Sequence, residues 1–259
     1  MVRPATHSRR KAENRRKVLW QEMRRTEIEE AAKADAIVII PVGSIEQHGN
    51  HMPVNTDINC SFSIAKSDAE IIDDFPVPVA PPIWWGFSPH HLKYPGTISF
   101  KLHTYIDVLT DVATSIAAHG FKKIVFLNGH GGNMGTISSM RMKLMNEDNG
   151  PSCIGYTYYT LVDEELKAIS EVDFTIGHAA EMETSLQLYL QPELVDKGVA
   201  TWAPGVLGDP TKGTYEKGKR FFEAAVNTVI TLIQDYHSGK LEDALVWKRN
   251  ISPECRKYI

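Results

Sequence analysis

AIVIIPVG at 36–43 is a short, continuous apolar run without polar alternation, ending in Pro and Gly. Such a run suits a strand buried on both faces, as in a parallel sheet. KKIVFLNG at 122–129 repeats the pattern, and CIGYTYYTL at 153–161 is a third run, rich in β-formers. Helical segments are expected at 18–33, 61–74, 103–119, 134–147, 179–190 and 214–237. Gly120 stops the third and NGP follows the fourth. FPVPVAPPI at 75–83 is extended, because its prolines permit little else. Strands alternating with helices predict an α/β fold of three layers, a mostly parallel sheet flanked by helices. No Ser/Gly linker divides the chain, so 26–259 reads as a single domain behind a basic N-terminal extension at 1–25.

The chain has 259 residues, 42% hydrophobic and 23% charged. That excludes collagen-like, mucin-like and wholly disordered chains and is ample for a core without staples. No stretch approaches the ~20 apolar residues of a membrane span. The start, MVRPATHSRRKAENRRK, lacks the apolar region of a secretory signal, so a cytoplasmic protein is expected. Cys60, Cys153 and Cys255 form no close pair, which is reduced-compartment usage. Residues 1–25 carry nine Lys/Arg and two Glu, a net of +7, against −11 on the remainder. The arm reads as a solvated helical extension, or one packed on a neighbouring subunit's acidic surface. An acidic body is a poor nucleic-acid binder, so neither a nucleic-acid nor a membrane partner is expected.

Four segments carry chemistry. In PVGSIEQHGNHMPVNTD (41–57), Glu46 and His48 are two apart, which in extended backbone puts both on one side. Asp57 follows a Pro/Asn-rich turn that folds back toward them. These residue types bind zinc, manganese or iron; the alternative is a polar surface loop. WWGFSPHHLKYPGTISF (84–100) gathers Trp84, Trp85, Ser88, His90 and His91, with the tryptophans walling a pocket or a subunit interface. NGHGGN (128–133) sets His130 among glycines, where backbone can approach a ligand. The first and third segments leave the C-terminal ends of parallel strands, where open α/β sheets place ligands. In GHAAEMETSLQLYLQ (177–191), Ala179, Met182, Leu186, Tyr189 and Leu190 form one apolar stripe, and Glu183 falls inside it. A carboxylate there needs a metal or, alternatively, a buried ion pair with Lys or Arg. Glu181 falls on the other side, solvated or hydrogen-bonded. His178 precedes this helix, as a proton shuttle or as a polar residue satisfied by backbone.

These four segments in this order resemble the creatininase (creatinine amidohydrolase) family: GSIEQHGNHMPVNTD, G-x-S-x-x-H-x-x-Y-P-G-T-I-S at 86–99, NGHGGN and HAAEMETS. The resemblance implies a creatininase-like fold, two divalent ions per subunit (zinc, manganese or iron), a small-molecule substrate and a homo-oligomer, often a hexamer. It implies Glu46, Asp57 and His130 on one ion, and His48, Asp57 and Glu183 on the other, with Asp57 bridging. It implies His178 as the proton carrier and places Trp85, Ser88, His91, Gly131 and Phe174 at the substrate. Creatininase proper has Tyr and Glu after the motif histidine, where this chain has Gly131 and Gly132. It has a tryptophan near the place of Phe174, and Glu is common in the family where His90 stands. The implied reaction is attack of a metal-activated water on the carbonyl of a small cyclic amide or formamide. The family also includes a peptidase of redox-cofactor maturation and a hydrolase of oxidised inositols. Carbon–carbon hydrolysis of an oxidised cyclitol is therefore the second expectation, and a non-catalytic small-molecule-binding module on the same fold the third.

Overall fold

The computed structural model of the chain describes residues 16–145, 150–172 and 177–241. The basic residues at 1–15, the last residues of the helix expected over 134–147, Phe174 and Cys255 lie outside the described residues. The three apolar runs form a parallel sheet of β1 (Ile37–Val42), β2 (Lys123–Asn128) and β3 (Ser152–Thr157), in that order. Helix α1 (Arg25–Lys33) precedes β1, and α2 (Thr56–Ile71) and α3 (Leu102–Ala118) lie between β1 and β2. Helix α4 (Met134–Met145) connects β2 to β3, and α5 (Asp163–Ile169), α6 (Glu181–Leu190) and α7 (Tyr215–His237) follow.

Alternation along the strands divides the side chains between two cores. Ile37, Ile39, Val125 and Leu127 face one core, which α2, α5, α6 and α7 close. Val38, Ile40, Ile124 and Phe126 face the other, against α1, α3 and α4. The chain is thus an α/β protein with a parallel sheet between two helical layers. The proline-rich segment lies along the outer edge of β1. Ile39 N–H donates to the Pro78 carbonyl (3.0 Å), Ala80 N–H to Ile39 (2.8 Å) and Ile83 N–H to Pro41 (3.0 Å). An edge tolerates prolines, which lack a donor but still accept.

Three element boundaries shift by four residues or more from expectation. The helix expected from residue 18 begins at Arg25, because Val18 and Trp20 pair with Val79 instead (2.7 and 2.9 Å). Trp20 also packs on Phe121, so residues 18–25 of the expected extension rest on the body. The helix expected from 61 begins at Thr56, which puts Asp57 in its first turn. The third strand stops at Thr157, opposite the last residue of β2, and 158–161 coil into a 3₁₀ turn.

Asp68 on α2 is fully buried, and neither carboxyl oxygen finds a hydrogen-bond partner among the described residues. Burial holds its pKa well above the ordinary 3.8. The unfolded chain ionises this group first, so its contribution is favourable below that ordinary value and is lost as pH climbs toward the folded pKa. Asp68→Asn should therefore raise the thermal midpoint at neutral pH and flatten its decline above about pH 4, as read by calorimetry. An unchanged pH slope in the variant would contradict this.

Candidate metal centre

The polar residues gather where β1 and β2 end. A Cβ on Gly43, just after β1, would lie 2.6 Å from the Ile58 nitrogen, and one on Gly129, just after β2, would overlap the Asp57 carbonyl. Glycine at both places lets the first turn of α2 enter between the two strand ends. Asp57 in that turn is buried and faces both loops.

Asp57 Oδ1 lies 3.1 Å from His48 Nε2, and Oδ2 lies 3.1 Å from His130 Nδ1. Glu46 stands beside His130 (Oε2 to Nδ1, 3.3 Å) and Glu183 beside His48 (Oε1 to Nε2, 3.7 Å). The outer nitrogens settle the tautomers. His48 Nδ1–H donates to the Glu46 carbonyl (3.1 Å), and His130 Nε2–H to the Phe87 carbonyl (3.2 Å). A carbonyl oxygen only accepts, so each ring turns its other nitrogen on Asp57, bare when the ring is neutral. Two lone pairs would then face one carboxylate, an arrangement relieved by a proton on each ring or by a cation between them. Accordingly Glu46 Oε1, His48 Nε2 and Asp57 Oδ2 are buried without a hydrogen bond among the described residues. Such an outer N–H anchored on a carbonyl is the usual support of a metal-binding histidine. Four overlapping triads place ligand atoms within 4.8 Å of one another: Glu46–His48–Asp57, His48–His178–Glu183, Glu46–His90–His130 and Glu46–His91–His178.

The same demand for positive charge appears in the ionisation of these groups. Burial pushes His48 down, but Asp57 and Glu183 outweigh it and hold its pKa well above the ordinary value. Burial also opposes charge on His130, yet Asp57 and Glu46 lift it to about 10. Burial presses Glu46, Asp57 and Glu183 upward, and the imidazoles hold all three below the usual carboxylate range.

Other expected residues take varied places. Ser88 is fully buried beneath the site, where its hydroxyl donates to Glu46 and accepts from His130 Nε2 (3.0 Å). It steadies two of the clustered side chains rather than lining an open surface. His91 and His178 stand at the mouth, their rings stacked at 4.3 Å. His178 Nε2–H donates to the Gln47 carbonyl (2.8 Å), which leaves Nδ1 bare and 3.6 Å from Glu46 Oε1. Its backbone pairs with Leu207 in both directions (2.9 Å), while Gly177 and Ala179 both adopt positive φ, of 58° and 53°. That conformation is costly for alanine and turns His178 toward the cluster. Trp85 is half exposed and edge-on to Phe100. Gly131 is exposed near the Tyr159 hydroxyl, and a Cβ on Gly132 would overlap the His130 ring and the Phe87 carbonyl. No side chain fits at Gly132 in this arrangement. His90 stacks on His130 at 5.7 Å. Spacing alone did not single out Gln47, Asn128 or Asn133. Asn133 donates to the Gly43 carbonyl (2.9 Å) and to Asn128 Oδ1 (3.1 Å), and Asn128 donates to Thr157 Oγ1 (2.8 Å), stitching the three strand ends together.

Glu181 and Glu183 point to different surroundings, but both are buried, so burial does not distinguish them as the stripe predicts. Glu183 points into the cluster and accepts from Ala179 N–H. Of the two alternatives for Glu181, the structure takes the hydrogen-bonded one: it is buried, accepts from the Glu171 and Val172 N–H groups, and pairs with Lys217. The lysine pair weighed for Glu183 belongs to Glu181.

Residues 21–233 match the family model described as creatinine amidohydrolase. The mycofactocin precursor peptide peptidase of Mycolicibacterium smegmatis is 31% identical over 219 residues, covering 74% of this chain and 81% of that protein. The 3-dehydro-scyllo-inosose hydrolase of Thermotoga maritima is 28% identical, covering 88% of this chain and 87% of that protein. A solved structure described as "Creatininase Mn" superposes with a TM-score of 0.75 at 25% identity, covering 86% of this chain and 99% of that one.

Lys217 is the cation for a carboxylate only 1% exposed. Lys217→Met should lower unfolding free energy by about 3–5 kcal/mol, because it leaves Glu181 buried and unpaired. The double variant with Glu181→Leu should recover most of the loss. Denaturant unfolding of the three proteins checks this; a single variant within about 0.5 kcal/mol of wild type would contradict it.

Proposed function

The chain belongs to the creatininase family of metal-dependent hydrolases, and from that premise we propose that its site holds two divalent ions that share Asp57. The reading rests on one observation above the others, the inner nitrogens of His48 and His130 facing the two oxygens of one buried carboxylate. Glu46, Asp57 and His130 would hold one ion, and His48, Asp57 and Glu183 the other. Zinc, manganese or iron suits these carboxylate and imidazole donors. When bound, the pair lowers the pKa of a shared water and offsets negative charge at a carbonyl oxygen.

The chain's own groups supply the rest. His178 presents a bare Nδ1 at the mouth, takes the proton of the attacking water and delivers it to the leaving nitrogen. The Gln47 carbonyl on Nε2 keeps the ring oriented. The substrate we propose is a small cyclic amide or a formamide. The Thermotoga maritima hydrolase, aligned along 88% of the chain, favours a second reading. In that reading the ring of an oxidised cyclitol opens at a carbon–carbon bond and His178 protonates carbon.

We further propose a homo-oligomer, of the order of a hexamer, in a reduced compartment such as the cytoplasm. Large exposed apolar side chains at Trp84, Trp85, Trp202 and Leu207 support assembly. Cys60 and Cys153 are buried. No helix among the described residues is long and apolar enough to cross a membrane.

Metal analysis after dialysis against zinc tests the ligand set. Wild type and Glu181→Gln should hold two equivalents, Glu183→Gln about one and Asp57→Ala none. Two tightly held equivalents in Asp57→Ala would overturn the assignment. A turnover screen of cyclic amides, formamides and oxidised cyclitols, with and without chelator, tests the reaction class. The active class should lose turnover on chelation and regain it with metal. On that substrate, His178→Asn should lower kcat by about 10²–10⁴-fold at unchanged metal content. Full turnover in that variant would remove His178 from the mechanism.

A further inference from the structure

Gln47 lies between two of the clustered side chains, Glu46 and His48, and points to the other side of the loop. Its orientation is fixed at both ends. The Gly49 N–H donates to Oε1 (2.9 Å), and Nε2 donates to the Gly205 carbonyl (3.0 Å). Neither neighbour tolerates the reverse placement, since a backbone N–H only donates and a carbonyl only accepts.

The carboxamide nitrogen has two hydrogens and three neighbours at 3.0 Å: the Gly205 carbonyl, His91 Nδ1 and His178 Nε2. His178 Nε2 already carries a hydrogen, because it faces the Gln47 carbonyl at 2.8 Å. Two donors cannot bond each other. The second amide hydrogen therefore goes to His91 Nδ1, which must be bare. A neutral imidazole keeps one proton, so His91 carries it on Nε2. That N–H points inward, 3.5 Å from Glu46 Oε1. The bare Nδ1 of the stacked His178 stands 3.6 Å from the same oxygen. The two rings are 8% and 9% exposed, so both reach the mouth.

We infer that the Gln47 side chain is a positioning residue that locks His91 as an N–H donor directed into the site, beside the proton-accepting Nδ1 of His178. The site then offers a substrate one fixed donor and one fixed acceptor on adjacent rings. That pair suits a carbonyl group attacked by water, adding a donor near the oxygen that gains charge and an acceptor for the water's proton. The use of the pair rests on the hydrolase reading above; the polarity of His91 does not.

Long-range proton–nitrogen correlation spectra of the full-length protein, labelled with ¹⁵N-histidine, test the assignment. The spectra are recorded metal-free and loaded with zinc, and His91→Asn and His178→Asn identify the two rings. In wild type both rings should show the Nε2–H tautomer, with a bare Nδ1. Gln47→Glu puts an acceptor of nearly the same shape against His91 and should move its proton onto Nδ1. His178, held by the backbone carbonyl, should keep its tautomer. A wild-type His91 protonated on Nδ1, or one unchanged by Gln47→Glu, would overturn the inference. The expected spectra in a protein that takes up no zinc would support the lock on His91 and count against the hydrolase reading instead.

Discussion

His48 Nδ1 faces the Glu46 carbonyl, His130 Nε2 faces the Phe87 carbonyl and the Ser88 hydroxyl, and each ring turns its other nitrogen toward Asp57 at 3.1 Å. A carboxylate faced by two lone pairs in a buried space is unfavourable unless positive charge lies between them. Without ions, protons on the imidazoles must supply that charge, which is why both rings ionise so readily here. In the proposed ion-bound state the same atoms would be ligands, with Glu46 and Glu183 completing the two sides. The site is therefore built around a deficit of positive charge.

The backbone holds this unfavourable arrangement in place. Gly43 and Gly129 let the first turn of α2 touch two strand ends at once, and that contact brings Asp57 between the loops. A methyl group at either glycine would push α2 away from the sheet. Asn128 and Asn133 then tie the ends of β1, β2 and β3 to one another, so the loops carrying Glu46 and His130 cannot drift apart. Ser88 reaches up from a different segment to hold Glu46 and His130 together. The positive φ at Ala179 is a further cost carried by the site, offset by the Glu183 carboxylate that accepts its N–H.

Much of this was legible before any coordinates. Unbroken apolar runs marked strands buried on both faces, and the spacing of Glu46 and His48 placed them on one side of an extended loop. The angular position of Glu183 in an apolar stripe puts it on a different side from Glu181, although it does not foretell that Glu181 is buried too. What escaped the sequence depends on contacts between distant segments. Asp57 was placed after a turn, whereas the helix starts at Thr56 with no side-chain cap to announce it. Ser88 has no local feature that distinguishes a hydroxyl buried under Glu46 from one at an open surface. Gln47 matters through His91 and Gly205, which lie 44 and 158 residues away. The steric need for glycine at 132 arises once the His130 ring and the Phe87 carbonyl close over it.

Anomalous diffraction from crystals of the zinc-loaded protein, recorded at the zinc edge, measures the central claim directly. Two peaks about 3.5–4 Å apart, one on each side of the Asp57 carboxylate, are the expected result. A single peak, or peaks placed away from Asp57 while its two oxygens still face bare imidazole nitrogens, would contradict it.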